Sequence, residues 1–249
     1  MINYILADIR RISRKQSFIY TLAGFIGLFL LMIFILYNPT FNENEYLERT
    51  NTFLGFFPLV LGLPIFSSVY YDDFKSKAMQ VAIGYGISRS KVVFTKIMEV
   101  VILSLLSGLL LGIVILVIPI SLKMSLSGSQ ISEIILGVGS ETLRIIGYIS
   151  MSTILVYYSQ NAMMGTIFYV LLSSNTIMII VSTILGQDFI VNSIGNLNEF
   201  MYTIILYNEK ISFIETGSFN FLNIVGILVY IILPTIIAMA IFKKKELEF

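Results

Sequence analysis

The chain has 249 residues, of which 57% are hydrophobic and 12% charged, against about 25% charged in soluble domains, so it has too little polar surface to cover a globular core in water. It contains no cysteine and no histidine, which excludes disulfides, thiol catalysis and the commonest zinc sites and removes the side chain that titrates near neutral pH. A net charge of +1 leaves no basic field for nucleic acid, which is not expected as a partner.

Residues 2–16 place Ile2, Ile5, Leu6, Ile9 and Ile12 at helical spacing, with Asp8, Arg10, Arg11, Arg14 and Lys15 elsewhere. The pattern predicts an amphipathic helix along the inner face of a membrane, the alternative being a plain basic tail. Residues 18–37 carry no charge. The run exceeds the ~7–15 residues of a signal-peptide core, and Asn38-Pro39-Thr40 is no small-residue cleavage site, so a retained span is expected. The second span, residues 53–71, holds Pro58 and Pro64 and is expected to kink.

The inner loop that follows, residues 72–91, reads as a short helix from about Asp73 with its acid at the favourable N-terminal end. Gly84 and Gly86 break it, and Ser88 is placed to cap the helix entering the next span. Such a helix, held between two spans, would be a rigid lever for a soluble partner; an ordinary basic loop is the other reading. The third span covers residues 97–120, with Glu99 as its one charge and Lys96 three residues away, within reach of an interfacial salt bridge. Ser104, Gly108 and Gly112 recur every four residues, a spacing that lets two helices approach closely.

No charge occurs between Arg144 and Asp188, a stretch long enough for two crossings of about 20 residues each. The polar triplet Ser159-Gln160-Asn161, behind the interfacial rings of Tyr157 and Tyr158, divides it. The fourth span is therefore set at about residues 142–158, with Arg144 at its outer end, and the fifth at 162–185. Deep polar groups are then neutral, chiefly Ser173, Ser174, Asn175 and Thr176, which either join helices or line a path. Residues 186–220 include an apolar segment, 200–207, too short to cross and suited to an outer interfacial or re-entrant helix. A sixth span covers residues 221–242, just before Lys243, Lys244 and Lys245.

Charge bias orients the set. Arg10, Arg11, Arg14, Lys15, Lys75, Lys77, Arg89, Lys91, Lys96 and the three closing lysines fall on one side, leaving Arg49, Lys123, Arg144 and Lys210 on the other. Both termini are then cytoplasmic, which requires an even number of spans. The expected fold is an all-α integral membrane protein, one domain over residues 1–249 with six transmembrane helices.

The inner loop resembles that of permease subunits in the type-2 ATP-binding-cassette (ABC) exporter superfamily, which run E-Y/F-x-x-G-T through a short apolar stretch to P-x-S-R and then a lysine. Asp73-Phe74 stands for the acidic-aromatic pair, Ile87-Ser88-Arg89 falls in register without a gap, and Lys96 takes the lysine's place. Lys77-Ala78 replaces Gly-Thr, and Gly86 replaces proline. The likeness covers residues 73–96 one by one and the whole chain as an architecture: an elbow helix, six spans, a coupling helix between spans two and three, an outer helical segment and a basic C-terminus. It implies a bacterial cell-membrane permease paired with a second copy or a diverged sibling and bound to two cytoplasmic ATPases that hold the ATP, with no cofactor in this chain. Asp73, Phe74, Lys75, Ser76, Lys77, Met79, Gln80, Ile83, Ser88, Arg89 and Lys96 would form the ATPase-coupling loop. The cargo implied is an amphipathic peptide, drug or lipid-like substrate, with self-immunity to lantibiotics and related antimicrobial peptides among the roles of similar small permeases.

No G-x-x-x-x-G-K-[ST] loop is present, so any ATP motor is expected on another polypeptide, and H-E-x-x-H is impossible without histidine. The chain is therefore read as a transporter subunit and not an enzyme, a glutamate-dependent membrane protease being the weaker reading of Glu99. Scarcity of ionisable groups in the spans argues against an ion-coupled secondary transporter. A motor-independent role, as secondary transporter, sensor or assembly factor, stays open.

Overall fold

The computed structural model describes residues 2–245; residues 1 and 246–249 of the expected domain lie outside the described residues. Among the described residues all regular structure is helical. Five helices are long and apolar enough to cross a membrane, or six if one bent pair is a single span.

Helix α1 (Ile2–Ser13) turns at Lys15 into α2 (Gln16–Leu36). Only one stripe of α2, Phe18, Phe25, Phe29 and Ile33, faces the protein, whereas Phe34 is 83% and Ile35 68% exposed. A helix apolar all round that turns most of its surface outward is stable only where the surroundings are apolar too.

The next helical run extends from Glu43 to Lys75, ten residues earlier than the predicted second span. Its first part, α3 (Glu43–Leu54), is polar at the start and capped by the Asn42 side chain, which accepts from the amides of Asn44 and Glu45 at 3.1 and 3.0 Å. A break at Gly55 and Phe56 leads into α4 (Phe57–Phe66), with Pro58 in its first turn, where a missing amide costs least. Pro64 lies inside α4, and a π-helical turn, Ser67–Tyr71, follows before α5 (Asp72–Lys75).

The long helices α7 (Arg89–Ser121) and α8 (Gly128–Ser159) pack side by side, joined by a turn with a Ser127–Gln130 capping box. At their contact a Cβ on Gly108 would overlap Thr142 Oγ1, one on Gly112 would lie 3.6 Å from Val138, and Ser104 is fully buried. Helix α8 is the most buried of the five candidates and touches α3, α4, α7, α9, α12 and α13. It is longer than the expected fourth span at 142–158: the helix starts at Gly128 and, at about 1.5 Å per residue, is about 48 Å long. Glu133, Glu141 and Arg144 interrupt the apolar run, yet each finds a partner within the fold, so none ends the helix.

After Asn161, α9 (Ala162–Ser173) and α10 (Asn175–Leu185) form the bent pair, at 66° across Ser174. Residues 186–220 form α11 (Asp188–Ile194), a 3-10 turn and α12 (Tyr202–Thr216). Helix α12 is longer than the predicted apolar segment and docks on α8 and α13, with Tyr202 Oη donating to Leu143 O at 2.6 Å. Helix α13 (Phe221–Lys244) closes the bundle. Its last turn lies at the same end as α1, the 72–96 segment and Tyr158, because Arg89 reaches Phe242 and Lys245, and Lys245 lies over the Tyr158 ring.

Candidate functional site

Two groups of charged side chains are built into the bundle, one at the end that carries the chain termini and one halfway along α8.

The first is centred on Lys96, in the second turn of α7 and 0% exposed. Its ammonium meets Asp8 Oδ2 of α1 at 2.5 Å, Glu99 Oε2 at 2.9 Å and Asp73 Oδ2 of α5. The ammonium thus sits among three carboxylates, with hydrogen bonds to Asp8 and Glu99 and an ion pair to Asp73. Arg11 of α1 closes the ring, donating to Asp73 Oδ1 at 2.8 Å and to Asp8 at 3.2 Å, and Lys15 pairs with Asp72 at 2.5 Å. The Tyr4 ring lies 5.0 Å from Lys96 Nζ, and burial pushes its hydroxyl up to about 12, so it stays neutral. Buried charges at this density persist only when paired. The pairs therefore weld α1, the end of the second long run and the start of α7 into one body.

The segment leaving this cluster is split. Lys77 adopts a left-handed conformation, φ 56°, between α5 and α6 (Ala78–Gly84), so the helix expected from about Asp73 is two short pieces. Gly86, φ 89°, ends the second piece, as the glycine pattern predicts. Ser88 occupies the N-cap position of α7 without making a side-chain cap bond. Arg89 is half-buried and donates to Phe242 O at 3.2 Å and to Lys245 O. A guanidinium at these last carbonyls of α13 satisfies acceptors that the helix itself leaves open.

The predicted loop residues fall into two sets. Asp73, Met79 and Lys96 are buried; Phe74, Gln80 and Ile83 are half-buried, with the Phe74 ring tilted against Tyr157 at 6.4 Å. Lys75, Ser76, Lys77 and Ser88 are exposed, beside Val81 (54%) and Tyr85 (86%), one helical turn apart. Lys96 makes the expected salt bridge to Glu99 and is buried inside the protein, because α1 folds over it and supplies Asp8. Asp8, Arg11 and Lys15 were legible only as the polar face of α1; the Asp8–Arg11 spacing was the available signal.

The second group surrounds Arg144, whose side chain is 8% exposed. Its Nη1 meets Glu141 Oε2 at 3.1 Å, its Nη2 donates to Asn175 Oδ1 at 2.6 Å, and its Nε has no partner among the described residues. Asn175 is the first residue of α10, so the guanidinium holds the bend in the α9–α10 pair. The residue lies halfway along α8, about 22 Å from Ser159, and its charge is buried inside the protein. Ser173 spends its hydroxyl on Tyr169 O at 2.8 Å, within its own helix. Arg144 borders two cavities, of about 380 and 430 Å³.

Comparison with protein-family models, with curated proteins and with solved structures returns no match.

Proposed function

We propose that the chain is the membrane-spanning subunit of a transporter driven by separate ATPase subunits, of the type-2 ABC exporter kind, in a bacterial cell membrane. The observation that carries the reading is the Lys96 cluster at the foot of the 72–91 segment. It ties the segment to α1 on one side and to α7 on the other. A push on the exposed face of Lys75, Lys77, Val81 and Tyr85 would then move α7 as a lever instead of bending a loop. In this reading α1 is the elbow helix, α6 with its flanks is the coupling helix, α12 is the outer segment, and the lysine-rich end faces the cytoplasm. The permease pairs with a second copy or a sibling, and the cargo is amphipathic.

Gentle detergent extraction from native membranes, with mass spectrometry of the bound proteins, tests this. A co-purifying ATPase with a phosphate-binding loop is expected, and Arg89→Glu should abolish its retention or uncouple its hydrolysis while insertion persists. Repeated recovery of folded protein without any ATPase, with nucleotide or crosslinker present, would contradict the reading.

The Arg144–Glu141 pair at mid-height of α8 favours one second reading, an ion-coupled secondary transporter, since ionisable groups at that depth serve coupling in such proteins. Transport that continues without ATP and stops when the ion gradient is collapsed would select it.

A further inference from the structure

We infer that the end of the bundle carrying the chain termini is a binding surface for the headgroups of anionic phospholipids. Charges at this end are divided between the inside and the outside of the protein. All four of its described acids are spent on ion pairs: Asp8, Asp73 and Glu99 surround Lys96, and Asp72 meets Lys15 at 2.5 Å. Cations are left over. Arg10 of α1, Arg14 just after it, Lys91 of α7, and Lys243 and Lys244 of α13 are exposed and have no ion pair among the described residues. Glu246 and Glu248 lie outside the described residues, and five cations against these two acids still leave the surface positive. Lys75 and Lys77, on the segment proposed to receive the ATPase, are left out of this count.

The position of the five cations selects lipid over a soluble acidic partner. Each stands near the end of a helix whose exposed side is apolar within one or two turns. On α1, Ile2 (72% exposed), Leu6 (58%) and Arg10 follow one another at four-residue steps. Lys91 comes one turn before the exposed ring of Phe94, and Lys243 and Lys244 come two turns after exposed Ile236 and Ile237. Such an arrangement sets a cation at the level where hydrocarbon gives way to headgroups. Helix α7 packs against both α1 and α13, so the three helix ends form one continuous surface. With the internal carboxylates already engaged, the counter-charge within reach of these side chains is a lipid phosphate. Binding of this kind needs the chain to be membrane-embedded and does not depend on whether an ATPase drives it.

Native mass spectrometry of the full chain, delipidated in detergent, would measure this with dioleoyl-phosphatidylglycerol and dioleoyl-phosphatidylcholine as probes. The anionic lipid should bind about fivefold or more tightly, the preference that a single lysine or arginine near a charged bilayer surface supplies. Raising ammonium acetate from about 0.1 to about 1 M, which shortens the screening length from about 10 to about 3 Å, should remove most of that preference. Arg10→Gln with Arg14→Gln, and Lys243→Gln with Lys244→Gln, should each reduce it, and all four together should abolish it at unchanged helix content. Lys123→Gln, at the opposite end, should leave it as it was. Equal binding of the two lipids by the unaltered chain, or a preference that survives both double variants, would overturn the inference. Loss of the preference in Lys123→Gln would place the surface at the other end and overturn it as well.

Discussion

The two charged groups of this bundle are solved in opposite ways. At the end carrying the termini, Lys96 is 0% exposed and its ammonium is enclosed by carboxylates from α1, α5 and α7. Halfway along α8, Arg144 keeps a buried Nε without a partner and borders two cavities. A cation enclosed by carboxylates from three helices holds those helices together. A cation with one carboxylate partner beside open volume holds its surroundings less tightly.

Substitution should expose that difference. Lys96→Met leaves Asp8, Asp73 and Glu99 buried without their common cation, and breaking a buried pair of this sort costs about 3–5 kcal/mol. Thermal unfolding of the detergent-purified protein should show a large loss of stability or no folded protein at all. Arg144→Gln should cost less, about 1–3 kcal/mol, because the adjoining cavity has room for water and Gln can still bond Asn175. Pairing it with Glu141→Gln should recover part of that loss, since both charges then leave together. Equal losses at the two positions would erase the distinction. The smallest effect should come from Lys77→Gly, which relieves a left-handed backbone, φ 56°, at the junction of α5 and α6. A gain of up to about 1 kcal/mol is expected if the segment is held as rigidly as the cluster implies, and a loss would mean that the turn relaxes in solution.

Much of the bundle was legible in one dimension. The charge-free run at 18–37, the runs before Ser121 and before the closing lysines, and the Ser159–Asn161 divider all mark helices or their ends in the fold. Gly86 was legible as a helix stop because only its positive φ suits that turn. The start of α8 was not, because Glu133 and Arg144 look like span limits until Asn51, Lys210 and Asn175 are brought beside them from distant parts of the chain. The break at Lys77 carries no sequence signal, lysine having no preference for left-handed backbone. The Lys96–Glu99 contact was visible from helical spacing, whereas Asp8 reaches Lys96 only after α1 folds back across the bundle and Asp73 only after α5 comes beside α7. The candidate site was thus readable where its partners were one helical turn apart, and hidden where tertiary folding supplied them.

The proposed lever can be tested with two single-cysteine variants. The chain has no cysteine, so Tyr85→Cys gives a unique handle on the exposed face of the 72–91 segment, and Tyr207→Cys gives a matched handle on α12. Each variant, labelled with a photo-crosslinker in native membranes, would be analysed for its adducts. The account predicts an adduct with a phosphate-loop ATPase from position 85 and none from position 207. An ATPase adduct from position 207 instead, or none from position 85 in folded protein, would contradict it.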